Sequence, residues 1–167
     1  LGDSTTISKD VPTQIGLETQ WSSISAGSFH TVALKTNGTL WAWGKNISGQ
    51  LGDGSLDSKN MPIQIGQDTD WYAVAAGTAY TTAVKNDGTL WAWGENINGQ
   101  LGDGTTVNKY APVQIGSDRD WYAVACYDYH TIALKTDGTL WAWGKNMNGQ
   151  LGDGTTVDKY TPTQIGS

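Results

Sequence analysis

Two histidines, one cysteine and an aspartate that recurs three times between glycines are the side chains of this chain best placed for chemistry. Cys126 and His130 stand four residues apart, where an imidazole could draw the proton from a thiol if the two met. Cys126, however, takes the place that Ala26 and Ala76 hold in two matching segments, so it reads as a small buried hydrophobe. His30 and His130 share their place with Tyr80. A metal ligand or general base does not trade with tyrosine, whereas a mostly buried ring making one hydrogen bond suits all three. Asp53, Asp103 and Asp153 sit where a short carboxylate bonds its own backbone. Calcium would want several clustered oxygens, and the nearby Asp57 is matched by Val107. Gly49-x-x-Gly52-x-Gly54 departs from the order of a phosphate loop, and no helix signal follows it. Asn37-Gly38-Thr39 and Asn46-Ile47-Ser48 fit the glycosylation pattern. No Ser-His-Asp order and no defensible carboxylate pair appears. The reading is therefore a protein that is not an enzyme and needs no cofactor or metal.

Each of these residues belongs to a repeat. Gly38-Thr39-Leu40-Trp41-Ala42-Trp43-Gly44 followed by Gly49-Gln50-Leu51-Gly52-Asp53-Gly54 returns from Gly88 and again from Gly138, 50 residues apart without insertion. A fixed period of this size marks one supersecondary unit per period, and such a unit needs neighbours to bury its apolar faces. The 167 residues read as one repeat domain, with periods 1–50, 51–100 and 101–150 and a partial fourth at 151–167. Residues 1–16 match 51–66, 101–116 and 151–166, so the chain opens and closes at the same phase, as an excerpt of a longer array or a unit completed by another chain would.

Every period carries four strand signals and no helix signal. They are Trp21–Ser25, His30–Lys35, Thr39–Trp43 and the short Pro12–Ile15 run, whose leading proline suits an edge strand. Asn37-Gly38, Asp87-Gly88 and Asp137-Gly138 are the pairs that type I′ hairpin turns favour. Four antiparallel strands per period make a β-propeller blade, and blades stacked face to face explain the nearly continuous apolar run Leu40-Trp41-Ala42-Trp43. The expected fold is all-β: three complete blades plus an extra outer strand, a partial or oligomer-completed propeller. The nine tryptophans recur at repeat positions and are expected to fill the cores between units.

The residues His30-Thr31-x-Ala33-Leu34 and Gly38-x-Leu40-x-x-Trp43-Gly44-x-Asn46-x-x-Gly49-Gln50-Leu51-Gly52-x-Gly54 closely resemble the repeat of the regulator of chromosome condensation family. The resemblance covers essentially the whole chain three times. It implies propeller blades, seven in family members, and a range of roles that includes guanine-nucleotide exchange on a small GTPase, β-lactamase inhibition, ultraviolet sensing and scaffolding. The exchange role rests on residues outside the repeat consensus, and ultraviolet sensing pairs tryptophans with arginine, of which Arg119 is the single example here. The resemblance also carries the expectation of a bacterial protein, secreted or at the cell surface.

Net charge is −6, which repels phosphate backbones and leaves no basic patch for nucleic acid. No run is long and apolar enough for membrane insertion as a helix. The scaffold letters barely change between periods; the differences gather at Ser28-Phe29, Thr78-Ala79 and Asp128-Tyr129, and at Ile7–Val11 and Leu17–Gln20 with their counterparts. The first turn and the long third loop of a four-stranded blade fall at one end, so these variable segments are expected to share a face. Gly27 and Gly77 become Tyr127 in the third period. Tyr127, Asp128 and Tyr129, with Ser28, Phe29 and Thr78, are the candidate contacts for a protein partner. Three blades also leave two apolar faces uncovered, which predicts a homo-oligomer, with the segments 11–15 and 161–165 available for strand exchange. A sugar-binding propeller using exposed aromatics is a weaker alternative.

Overall fold

The computed structural model describes residues 1–166. Among them are twelve strands and no helix: β1 Trp21–Ala26, β2 His30–Lys35, β3 Leu40–Gly44, β4 Lys59–Gln64, β5 Trp71–Ala76, β6 Tyr80–Lys85, β7 Leu90–Gly94, β8 Lys109–Ile115, β9 Trp121–Tyr127, β10 His130–Lys135, β11 Leu140–Gly144 and β12 Lys159–Ile165. Consecutive strands pair antiparallel into three four-stranded sheets, β1 to β4, β5 to β8 and β9 to β12. These are the three blades.

The blades are offset against the sequence periods. Each outer strand pairs with the third strand before it, as Gln64 opposite Trp41 and Ile63 opposite Ala42 show for β4 and β3. The expected extra outer strand at 11–15 does not form: residues 1–20 hold no strand, because no third strand precedes them among the described residues. The outer strands also start earlier than their prolines. Pro62, Pro112 and Pro162 lie inside β4, β8 and β12, where an edge strand with a shifted register tolerates a residue lacking N–H.

The hairpins between second and third strands are likewise not type I′ turns. Asn37 keeps a negative φ and Gly38 alone is left-handed, at 75°. Gly38 N–H donates to the Lys35 carbonyl, and Lys35 N–H to the Thr39 carbonyl. This is a turn followed by a glycine in the left-handed region, the three-residue hairpin solution. The Asn37 carboxamide oxygen accepts from Thr39 N at 3.2 Å and Thr39 Oγ1 at 2.7 Å, and Asp87 and Asp137 repeat the arrangement.

Two cores lie between the blades. Val32, Leu34, Leu40 and Ile65 of the first blade meet Trp71, Val74, Ala76 and Trp93 of the second. Val84, Leu90 and Ile115 then meet Trp121 and Trp143 in the same way. Removing an indole of roughly 200 Å² from water contributes about 5 kcal/mol before ordering costs. The expectation that all nine rings fill these cores needs correction. Trp93 and Trp143 are buried there, Trp43 is buried against Gly2 outside both cores, and Trp41, Trp91 and Trp141 are half-buried. Each half-buried ring joins Trp21, Trp71 or Trp121 in a cage around a lysine. Lys85 Nζ lies 4.8 Å from the ring centres of both Trp71 and Trp91, with Asp68 at 2.6 Å and Asp70 at 3.2 Å. Lys135 repeats this arrangement with Asp118 and Asp120, and Lys35 does so with Glu18 alone, Gln20 standing where the second aspartate would be. Cation–π attraction and the carboxylates together compensate for desolvating the ammonium.

Hydrogen bonds lock each joint. The Gln50 carbonyl accepts from Trp93 Nε1 at 3.0 Å and Thr81 Oγ1 at 2.8 Å, and Gln100 does the same for Trp143 and Thr131. The loop that carries Gln50 is organised by the fully buried Asn46. Its Oδ1 accepts from Leu51 N at 2.9 Å, and its Nδ2 donates to Asp53 Oδ1 at 3.0 Å and to the Ser55 carbonyl.

Candidate interaction surface

The β1–β2, β5–β6 and β9–β10 turns converge at one end of the three inner strands. They line a cleft of about 370 Å³ formed by Ser28, Thr78, Asp128, Tyr127 and the ends of the strands beneath them. Four of the six candidate contacts therefore meet. Ser28 Oγ donates to Thr78 Oγ1 and Thr78 Oγ1 to Asp128 Oδ1, both at the long distance of 3.4 Å, while Thr78 N–H donates to the Asp128 carbonyl at 3.2 Å. Phe29 and Tyr129 lie just outside the cleft, against the start of each third loop. Lys45 N–H donates to the Phe29 carbonyl and Lys145 N–H to that of Tyr129, so first turn and third loop share an end.

The third turn differs from the other two for a steric reason. A Cβ on Gly77 would lie 2.0 Å from the Tyr80 ring, and one on Gly27 would lie 2.6 Å from His30 and 2.4 Å from the Gly77 carbonyl oxygen. Tyr127 therefore requires the ring after the turn to move. His130 is half-buried and meets Tyr127 edge-on at 6.4 Å, while Asp128 takes a φ of 47°, which aspartate tolerates better than most residues. Tyr127 is left 76% exposed.

Sequence reasoning missed the residues behind the tips. Lys45 Nζ lies 4.9 Å from the Phe29 ring centre and Lys145 Nζ 5.2 Å from that of Tyr129. In the second blade both partners change together, to Ala79 and Glu95. Burial first, and then the charge of Asp128, raise the Glu95 carboxyl above its ordinary range. The signal was present as a paired change at two repeat positions.

The remaining chemical candidates are occupied by structural roles. Thr81 gives its hydroxyl proton to Gln50, so the 3.0 Å contact with His30 requires His30 Nε2 to donate. His30 Nδ1 is then a buried, unpartnered acceptor, and burial lowers this imidazole to about 4. The Tyr80 hydroxyl donates to the His130 carbonyl. Cys126 Sγ lies 3.1 Å from Thr82 Oγ1, and burial pushes the thiol up, away from reactivity. The Asp53 carboxylate is taken up by Ser55, Asn46 and Lys59. Asn46 of the second glycosylation pattern is buried and fully bonded.

Residues 37–84, 87–134 and 137–167 match the regulator of chromosome condensation (RCC1) repeat, and a second profile of the same repeat matches 21–50, 71–100 and 121–150. No curated protein sequence matches significantly. Among solved structures, human WBSCR16 is similar over 91% of this chain at 23% identity and a TM-score of 0.79. Prp20p from Saccharomyces cerevisiae is similar over 89% at 22% identity and a TM-score of 0.80, and the same yeast protein bound to Kap60 gives equal values. The chain spans 39% of the length of the first two and 37% of the third. These likenesses carry the blade fold, and with the repeat profile matched three times over most of its length, the chain belongs to the regulator of chromosome condensation repeat family.

Proposed function

We propose that this chain is a protein-interaction module whose partner docks on the end formed by the inner-strand turns and third loops. One observation carries the reading: side chains that differ from blade to blade converge on one cleft of a scaffold that barely changes. Exposed tyrosine beside a carboxylate and adaptable hydroxyls is a composition that suits protein recognition. The partners named for the yeast neighbour, Gsp1p, histones and Kap60, support a binding role for this blade type without transferring any one of them. A photo-crosslinking residue at Tyr127 tests the reading, with one at Tyr122 as control at the other end of β9. Tyr127 should capture a partner that Tyr122 does not, and replacing Tyr127, Asp128 and Tyr129 with alanine should weaken its binding at least 100-fold without unfolding the chain. Unchanged affinity removes the tip face from the proposal.

A second reading is self-association, favoured by apolar residues uncovered on the two outer blade faces. Ile24 of the first blade is 73% exposed where its counterpart Val74 is buried, and Leu134 and Leu140 of the third are exposed where Leu34 and Leu40 are buried.

A further inference from the structure

We propose that Asn37 is a self-modifying residue: Gly38 N attacks its carboxamide, ammonia leaves, and water reopens the ring to give the aspartate that the second and third hairpins already carry. Asn37 is exposed, and its Nδ2 has no partner among the described residues. Its Oδ1 accepts from Thr39 N at 3.2 Å and from Thr39 Oγ1 at 2.7 Å. Two donors on one carbonyl oxygen stabilise the negative charge of a tetrahedral intermediate. The other hairpins show that donors in this place hold such a charge. Asp87 Oδ1 accepts from Thr89 N at 3.1 Å and Oγ1 at 2.6 Å, and Asp137 Oδ1 from Thr139 N at 2.9 Å and Oγ1 at 2.7 Å. The threonine hydroxyl first, and then the threonine amide, hold both carboxyls below their ordinary range.

The atoms balance with water as the one co-reactant. The Gly38 amide gives its proton to solvent, and its nitrogen bonds to Cγ of Asn37, leaving the negative charge on Oδ1. That charge re-forms the carbonyl as the Cγ–Nδ2 bond breaks, and Nδ2 leaves as ammonia with a proton from solvent. Glycine permits the attack because no Cβ hinders its nitrogen. The cyclic imide then has two carbonyls. Water at Cγ breaks the bond to Gly38 N and gives aspartate, whereas water at the main-chain carbon gives isoaspartate. Thr39 polarises the first of these, so the closed hairpin directs opening to aspartate. One bond opposes the attack: Gly38 N–H donates to the Lys35 carbonyl at 2.9 Å and must be released, so the rate rises with pH. The pairing of Lys35 N–H with the Thr39 carbonyl keeps the strands together meanwhile.

Asn98-Gly99 and Asn148-Gly149 share the sequence but not the donors. Gly99 and Gly149 N–H are bonded at 2.9 and 2.8 Å, much as Gly38 is, yet neither asparagine's side-chain oxygen accepts a hydrogen bond among the described residues. Asn98 is also half-buried, with Gly99 beneath the Tyr160 ring, while Asn148 is exposed like Asn37. Asn148 thus isolates the effect of Thr39. The new carboxylate adds one negative charge to the net −6, at the end of the blades opposite the tips. Arg119, which pairs with Asp87, is matched there by Thr69, so that charge stays open to solvent.

Incubating the whole chain in mildly alkaline buffer, then digesting it and separating aspartyl from isoaspartyl peptides by chromatography and mass, tests this without any tip partner. Asn37 should convert roughly 5-fold faster than Asn148, about the worth of one net hydrogen bond, and aspartate should outweigh isoaspartate. In urea the sites should convert at similar rates, with isoaspartate the main product. Thr39→Val, close in shape, should slow conversion at 37 and raise its isoaspartate share, and Thr39→Ser should restore both. Conversion at Asn37 no faster than at Asn148, isoaspartate as its main product in the folded chain, or a product ratio indifferent to Thr39→Val overturns the proposal.

Discussion

His30→Tyr should flatten the pH dependence of stability between about pH 6.5 and 4. His30 is buried between the first two blades, its Nε2–H is committed to Thr81, and its Nδ1 has no partner to receive a second proton's charge. Burial accordingly lowers its pKa from 6.5 to about 4. In the unfolded chain the ring protonates near 6.5, so between these values the unfolded state binds more protons than the folded one. Stability is then fully present above the unfolded value and falls as pH falls through the window. The shift of about 2.5 pH units corresponds to ~3 kcal/mol at 1.36 kcal/mol per unit. Tyrosine is the natural replacement, because Tyr80 fills the same place in the second blade and bonds across to the third, above the same kind of glycine. Urea titrations followed by tryptophan fluorescence at pH 7.5 and 4.5 would measure the difference. The aspartates whose carboxyls are held low, such as Asp53 and Asp103, lose their contribution only below their ordinary value of 3.8, outside the window. His130, lowered by burial, and Glu95, raised by it, are common to both proteins and cancel in the comparison. Equal losses of stability on acidification in wild type and variant would refute the assignment of the slope to His30.

Other consequences are equally direct. Asn96→Ala removes the buried carboxamide that holds Leu101, Asp103 and Thr105, and should cost ~2–3 kcal/mol with faster amide exchange at Leu101. Lys85→Met empties an indole cage and leaves two carboxylates behind; a loss of ~1–2 kcal/mol is expected in urea titration, surviving 1 M salt better than an exposed pair would. Gly88→Ala should be far more damaging than Gly116→Ala. Both glycines are left-handed, but a Cβ at 88 would lie 2.1 Å from the Arg119 carbonyl while the one at 116 meets open space, so thermal denaturation should show ~1–2 kcal/mol for the second and clearly more for the first.

The blades were legible because their causes are local and repeated. Short apolar runs, tight turns and strict spacing name strands whatever surrounds them, and three copies remove ambiguity about where each begins. The segment 11–15 was misread for the opposite reason: its letters are those of β4, but a strand is a pairing, and no third strand precedes it among the described residues. The Asn-Gly pairs misled because the same letters serve two hairpin geometries, and only the backbone of residue 37 distinguishes them. Lys35 entered the sequence analysis only as the last residue of a strand signal; its cage requires knowing that Trp21 and Trp41 meet edge-on at 5.8 Å across the sheet. Convergence of the tips followed from topology, yet the coupling of Phe29 to Lys45 did not, because it joins residues that are distant in sequence.

That coupling bears on what the tip face selects. Residues free to vary for solubility alone would change independently, but positions 29 and 45 change with each other: aromatic with lysine in the outer two blades, alanine with glutamate in the middle one. A lysine held over a ring presents its charge at a fixed place, and Glu95 near Asp128 concentrates negative charge between the two lysines. The face thus reads plus, minus, plus across three blades. A charge order of that kind steers approach and rejects mismatched partners more than it adds affinity. Exchanging Glu95 for lysine, with Ala79 made phenylalanine to hold it, would convert the middle blade to the pattern of its neighbours. A partner bound at this face should then lose association rate, most at low salt, while the dissociation rate changes little. An unaltered association rate would mean that the paired residues serve only to brace the loops.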